Sequence, residues 1–499
     1  MTKDKKDFMN MPRRQFLQTV GGAGATAFGL GACAIPPGFH LGGEDLKQPP
    51  VETSHDGLLD TQVSAQYGNF FLGGQPVHLR CYNGNPVGNT LDFRGGDTVR
   101  LKLTNNMPFI GDFDLCTDKY EPENTPRGFN ITNMHVHGLH VSPKQPSDDI
   151  LIWIDNGDSY QYEYQIPPNH PPGTYFYHAH VHGSTAIQVA SGMAGCMIVR
   201  GDLDDIPAIK AAKEQVMMIQ TQRFGDDGTC ESFGLLNNGD MTYINGQLNP
   251  TIRIKKGEVQ RWRLVNASHM VPFDLSIQTY RYTTQNPMTL IGRDGNPLTH
   301  TKEVDYLRMV PGNRADVLVK GFDPGTYFLS GGDNMGTIAT IIVEEESVPD
   351  MTLYAGPLPQ PPELAPIPES EVTFGRRIEF GFAYGNQPKF TINDVPFSCE
   401  DDWKIPLNAV EEWEVYNHTA YPHPFHIHVN PFQVVSGGYV DPGTWMDTLE
   451  FPAFERIKFR TRFLDFTGEF VFHCHNLMHE DMGMMQAVTV FDPKHPDKA

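Results

Sequence analysis

The chain has 499 residues, enough for two to four domains at roughly 100–200 residues each, so a single small domain is excluded. Glycine (48) and proline (40) are abundant, yet 39% of the residues are apolar and 11% aromatic, which excludes a disordered chain and favours many short strands joined by turns. A net charge of -22 repels phosphate backbones and excludes nucleic-acid binding as the function.

In chain order, Lys3, Lys5 and Lys6 precede Arg13-Arg14-Gln15-Phe16-Leu17 and a weakly apolar, Gly/Ala-rich run over residues 19–34. The segment resembles a twin-arginine export signal, and its apolar run is too short for a spanning helix. Residues 1–34 are therefore expected to address a folded protein to the twin-arginine export machinery, with a periplasmic or extracellular destination. Ala32-Cys33-Ala34 reads as a small-residue cleavage site, whereas Leu30-Gly31-Ala32-Cys33 reads as a lipoprotein box that would leave a lipid anchor on Cys33.

One pattern then occurs three times. Gly95-Gly96-Asp97-Thr98-Val99 runs to Asn105, Lys256-Gly257-Glu258-Val259 runs to Trp262 and Asn266, and Asn408-Ala409-Val410 runs to Trp413 and Asn417. Downstream of each lies a Gly turn and an aromatic strand: Gly173-Thr174-Tyr175-Phe176-Tyr177-His178, Gly325-Thr326-Tyr327-Phe328, and Gly468-Glu469-Phe470-Val471-Phe472-His473. Both markers keep nearly the same period, which predicts an all-β chain of three Greek-key β-sandwiches over residues 55–205, 206–348 and 372–492. Seven prolines mark 349–371 as an extended linker across a surface. The middle copy has no histidine on its aromatic strand and is expected to be a spacer holding the outer copies face to face.

Of 20 histidines, ten fall in four short segments: His135-Val136-His137, His178-Ala179-His180, His423-Pro424-Phe425-His426-Ile427-His428, and His473-Cys474-His475 with His479 following. Two segments lie in the first repeat and two in the third. Because residues i and i+2 of a strand share a face, each His-x-His aims two imidazoles one way, a donor set open to copper, zinc, iron or nickel. The fourth segment narrows the choice. Cys474 points away from His473 and His475, and His479 and Met484 return to the cysteine side. A thiolate, two imidazoles (His423 and His479) and a weak axial thioether form the blue-copper arrangement.

These motifs, in this order, resemble those of the multicopper oxidases, the laccase-like three-domain enzymes, and the resemblance extends over residues 60–492. It implies three cupredoxin-like domains and four copper ions. By that resemblance His423, Cys474, His479 and Met484 are the type 1 ligands, and His135 and His426 the type 2 ligands. His137, His178 and His475 would hold one type 3 ion, and His180, His428 and His473 the other. Met482 and Met485 compete with Met484 for the axial place, and Met478 is read as packing. His140 and His182 lie beside the motifs without matching ligand positions.

The implied activity is the four-electron reduction of dioxygen to water, supplied by one-electron oxidations of a small reducing substrate, with Cys474 linking the type 1 site to His473 and His475. Water formation consumes protons, and Glu480, Asp148 and Asp149 are the candidate carboxylates. With no long Met-rich run, phenols or aromatic amines are favoured as substrates over cuprous or ferrous ions. A copper-free structural or partner-binding relative is the other class, although this chain keeps the cysteine and every histidine; a two-domain nitrite reductase is opposed by the repeat count. Cys81, Cys116, Cys196, Cys230 and Cys399 allow at most two disulfides, and one or two are expected.

Overall fold

The computed structural model describes residues 42–109, 124–237, 241–279, 285–332, 335–383, 389–398 and 402–495. The signal reading of residues 1–34, Cys33, Cys116 and Cys399 lie outside the described residues.

Six sheets make three sandwiches, and the same wiring recurs in each. A leading strand pairs in parallel with the turn-initiated strand of the repeat: Leu58–Leu72 with Thr98–Asn105, Lys213–Gln222 with Val259–Asn266, and Phe374–Ala383 with Ala409–Asn417. The second strand of each pair then takes an antiparallel neighbour, Ser159–Gln165, Arg314–Lys320 or Arg456–Phe463. In the facing sheet the aromatic strand pairs antiparallel with the last strand of its domain, Ala194–Arg200, Thr337–Ser347 or Met485–Phe491. Inward side chains of the two sheets alternate with outward ones and fill three cores, one per sandwich.

The repeated asparagine has a physical reason. Asn105 Nδ2 donates to the carbonyls of Asn130 and Ile154, Asn266 Nδ2 to those of Val271 and Met309, and Asn417 Nδ2 to those of Tyr421 and Pro452. Each Oδ1 accepts the backbone N–H two residues on, at Met107, Ser268 and Thr419. One side chain thereby satisfies a strand end and two crossing loops that would otherwise bury unpaired backbone groups. The middle and last copies share a second device. Trp262 and Trp413 are fully buried, and each indole N–H donates to the side chain two residues earlier, Gln260 or Glu411. Truncating either ring to Ala would cost about 3–5 kcal/mol.

The domain edges differ in detail from the expected ones. Strand Val51–Thr53 already pairs with Gly88–Arg94, ahead of residue 55. The segment before it belongs to the second sandwich, where Asp45 bridges Thr251 and Gln48 accepts the N–H of Val216. Three residues of strand and a bridge carry too little alternation to be read from sequence. Between the first and second sandwiches lie two single-turn helices, Asp202–Asp205 and Pro207–Lys210. The linker is extended but anchored: Leu358 is buried beside Ile209 and Leu318, and Leu364 and Ile367 beside Val410 and Trp445. Carbonyls of Ala365, Pro366 and Ile367 accept from Arg462 and Arg460.

Cys81 and Cys196 are buried free thiols, which lowers the expected number of disulfides among the described residues. Both lie inside cores, where burial raises the thiol pKa and keeps it inert.

Candidate metal centre

The strand Gly468–Cys474 is the axis of the site. Its ladder with His423–Ile427 sets Cys474 opposite Phe425 and His473 opposite His426, and His475 continues the line by donating its N–H to the Pro424 carbonyl at 2.7 Å. The pleat then does what the alternation predicts. Cys474 Sγ lies 3.3 Å from His423 Nδ1 and 3.6 Å from His479 Nδ1, and those two nitrogens are 3.1 Å apart. The rings of His473 and His475 are on the other face, 5.5 Å apart and nearly parallel.

His479 arrives on a helix, Leu477–Asp481, rather than a bare turn. Backbone bonds from Met484 N–H to the His479 carbonyl (2.9 Å) and from Cys474 N–H to the Met484 carbonyl (3.0 Å) close the loop. Met484 is fully buried in the core that holds Cys474, whereas Met485 packs with Ile150, Phe397 and Val471 and Met482 is half-buried. Thr419 Oγ1 is 2.7 Å from His423 Nε2 and fixes that ring. The His479 ring is half-buried and stacked at 3.9 Å on Phe390, leaving His479 as the ligand candidate nearest solvent.

On the opposite face eight imidazoles from the first and third domains converge. His137, His178 and His475 form one triad, His180, His428 and His473 a second, and His135 joins His426 and His137 in a third group; the donor atoms of each group lie within 4.8 Å of one another. His135 pairs with His178 across the ladder of the first domain, so both domains use the same strand-to-strand device. His180 Nε2 and His428 Nε2 each approach His473 Nε2 to 3.2 Å, and His475 Nε2 is 3.2 Å from His137 Nδ1.

The outer nitrogens are already assigned to protein. His135 Nδ1–H donates to Asp148 (2.9 Å), His178 Nδ1–H to the Ala179 carbonyl (2.9 Å), His426 Nδ1–H to the Asp447 carbonyl (2.9 Å), and His137 Nε2–H to Asp447 Oδ1 (3.0 Å). This fixes each tautomer and turns a lone pair inward. The Nε2 atoms of His135, His178 and His426 accordingly have no hydrogen-bond partner although buried. Burial, joined by neighbouring imidazoles, holds His135, His137, His180, His428, His473 and His475 well below the usual histidine pKa, so they are neutral donors. The inward nitrogens of His180 and His473, and of His475 and His137, approach to 3.2 Å, a spacing that suits two imidazoles sharing one ion. These residues fit metal ions.

The middle domain is more than a spacer. Arg314, fully buried, donates from Nη1 to Asp447 Oδ1 (2.8 Å) and from Nη2 to Asp447 Oδ2 (2.5 Å), and its Nε reaches the Thr174 carbonyl of the first domain (3.3 Å). Although burial opposes it, the Arg314 charge brings Asp447 down to about 2. Gly312 shows how close this domain comes, since a Cβ there would sit 3.0 Å from His137 Cε1 and 3.1 Å from His475 Cδ2. Gly138, the glycine closing the first motif, has φ +83°, and a side chain there would overlap Arg314 and Asp447.

The three candidate carboxylates separate. Glu480 is fully buried, with Oε2 3.2 Å from His473 Nδ1 and Oε1 3.6 Å from His180 Nδ1; burial and its neighbour Asp481 push its pKa well above the usual range. Asp148 holds His135 and the Val136 N–H and is pushed by burial up to about 7. Asp149 turns away. Its carboxylate accepts from Gln145 and the Leu151 N–H and borders an open hollow with Lys404 and Thr489, because the loop reverses at Asp148. His140 and His182 stand outside the triads: His140 bonds Val429 and Asp465, and His182 bonds Asn124.

Arg314, Asp447, Asp294, Asp481, Thr419 and Phe390 carried no sequence signal, since each is a common residue in a context that only the fold creates. Asp481 accepts the N–H groups of Gly183 and Ala186 from the first domain.

Models of multicopper oxidase domains match residues 128–204, 210–347 and 372–494. The protein named multicopper oxidase mco of Staphylococcus aureus is 25% identical over 461 residues, covering 87% of this chain and 89% of its own. A laccase of Haloferax volcanii is 27% identical over 398 residues, covering 72% and 68%. Among solved structures, a multicopper oxidase from Campylobacter jejuni, described as a metallo-oxidase, aligns with a TM-score of 0.73 at 23% identity over 90% of this chain and 95% of that one, a likeness of fold. The chain belongs to the multicopper oxidase family. It is an oxidoreductase of cupredoxin-like domains that uses copper, dioxygen and a reducing substrate.

Proposed function

We propose that the chain holds four copper ions and couples four one-electron oxidations of a phenol or aromatic amine to the reduction of dioxygen to two waters. His423, Cys474, His479 and Met484 take the type 1 ion, His135 and His426 the type 2 ion, and the two triads the type 3 pair. Bound copper supplies one-electron redox chemistry at the thiolate and multi-electron chemistry at the histidine cluster.

The protein's own part follows from position. His479, half-buried at the edge of the molecule, is where an outside reductant comes nearest the thiolate. Cys474 joins that side to His473 and His475 through one peptide bond each way, so electrons have a covalent route of ~3.3 Å of strand rise per residue. The eight imidazoles are buried, which keeps bulk solvent from the dioxygen side. Glu480, between His180 and His473, is placed to deliver protons there, and Asp148 orients His135.

The observation that carries the proposal is Cys474 facing His423 and His479 while its two neighbours face the histidine cluster. Copper analysis and a visible spectrum test it: about four ions per chain and an intense thiolate-to-copper band, both altered in Cys474→Ser, are expected. Fewer than about three ions would favour a copper-free structural relative.

An organic substrate is supported by the aromatic surroundings of His479, with Phe390 stacked on it, and by the exposed rings of Tyr421 and Phe454 on the loops flanking His423. The half-buried Met482 favours a cuprous or ferrous substrate instead. Turnover of a substituted phenol without added copper supports the first; strict dependence on metal ions supports the second. Residues 1–34 are proposed to direct twin-arginine export, tested by whether Arg13→Lys/Arg14→Lys retains the protein in the cytoplasm.

A further inference from the structure

A cavity of about 870 Å³ opens where the second domain, the proline-rich linker and the third domain meet. Its volume is that of a small-molecule site, at a domain seam, and none of the proposed copper ligands lines it. Its walls are largely flat and apolar: Pro361 and Pro362 from the linker, Pro442 and Trp445 from the third domain, and Leu298 from the second.

Arg293 stands in this wall without an ion-pair partner among the described residues. The guanidinium makes one long hydrogen bond, Nη1 to the Arg308 carbonyl at 3.3 Å, and no described carboxylate pairs with it. The neighbouring acids are committed. Asp294 accepts from Asn313, the Arg314 N–H and the Thr448 N–H; Asp441 pairs with Lys302 at 2.5 Å; Glu450 and Asp274 hold Arg308. A half-buried guanidinium left without an anion is unusual, above all in a chain of net charge -22. Burial lowers the Arg293 pKa despite Asp294 and Asp441, in keeping with a partner that is missing. Lys302 and Asp441 pair with each other, which leaves Arg293 as the cation of the cavity lining with no described carboxylate in hydrogen-bond reach.

We propose that this cavity binds a small aromatic monocarboxylate, its carboxylate on the Arg293 fork and its ring between the linker prolines and Trp445. Arg suits the task because two of its N–H groups match two carboxylate oxygens, whereas the proline and tryptophan faces favour a flat ring. A ligand there touches both domains and the linker, so its binding stabilises their docking.

The test uses the copper-loaded full protein, with benzoate as probe and benzamide as its neutral isostere, by calorimetric titration and thermal unfolding at fixed ionic strength. One benzoate per chain should bind and raise the unfolding temperature, with benzamide at least about tenfold weaker. Arg293→Met should weaken benzoate at least about tenfold and leave the visible spectrum and phenol turnover unchanged. Thr299→Trp, at an exposed strand position in the cavity wall, should block binding with Arg293 intact, and serves if Arg293→Met does not fold. Equal binding of benzoate and benzamide, displacement of benzoate by equimolar chloride or phosphate, or undiminished affinity in the folded variants would each overturn the proposal. So would benzoate competing with phenol in wild type and Arg293→Met alike, which would place it at His479.

Discussion

Arg314 of the middle domain grips Asp447 of the last domain through both guanidinium Nη atoms, at 2.8 and 2.5 Å, and Asp447 in turn receives the His137 ring of the first domain at 3.0 Å. One ion pair therefore orients a ligand candidate that neither of its partners adjoins in sequence. All three groups are buried, so the pair is weakly screened and its loss leaves an uncompensated charge.

Arg314→Met is expected to destabilise the fold by about 3–5 kcal/mol, read by urea denaturation, and to reduce the copper bound at the histidine cluster while the thiolate band persists. Unchanged copper content would show that the Arg314–Asp447 pair does not position His137.

Cys474→Ser should keep the fold, because the side chain changes little in volume within its core, yet lose the intense visible band and all turnover of phenols. Circular dichroism and absorption distinguish this from unfolding. A retained band would remove Cys474 from the site.

For Glu480→Gln, reduction of the thiolate site by a phenol should proceed at the wild-type rate while reoxidation by dioxygen slows by about a hundredfold or more. Stopped-flow mixing separates the two phases. An equal slowing of both would make Glu480 a structural residue.

The strands, the three-fold wiring and the histidine and cysteine motifs were legible in the sequence because they depend on local periodicity: the pleat alone sorts Cys474 from His473 and His475. What surrounds them was not. Asp447 becomes meaningful only when Arg314, from another domain, meets it, and Asp148 could be told from Asp149 only by the direction of a loop. The middle copy looked inert because it supplies no ligand candidate, only supporting groups: Arg314, Asp294 and the bare backbone of Gly312.

His140 offers a pH signature. Its Nδ1 donates to the Val429 carbonyl and its Nε2 to Asp465, both at 2.8 Å, and only the doubly protonated ring has two donors. Burial opposes the charge, but the Asp465 bond and charge prevail and raise the pKa above 6.5. The contact is thus present in full below ~6.5 and fades as pH rises through the raised folded value. Asp465 is half exposed, so the stabilisation is about 1 kcal/mol or less. His140→Phe should lose that increment at pH 6 and little at pH 9, by urea denaturation; a difference that does not vary with pH would contradict the charged pair.

Phe390→Leu removes the ring stacked at 3.9 Å on His479 and admits water to that ligand. The reduction potential of the thiolate site should fall with the visible band retained, as measured by redox titration, since a drier surround disfavours the more highly charged oxidised ion. An unaltered potential would confine Phe390 to packing.

His137 and His475 are 338 positions apart, and both histidine triads draw on the first and the last sandwich alike. A nascent chain therefore has no complete triad until synthesis has nearly finished and the outer domains have docked. Loading of the cluster is then a late step of maturation, and a fragment ending before the third sandwich would lack part of every triad.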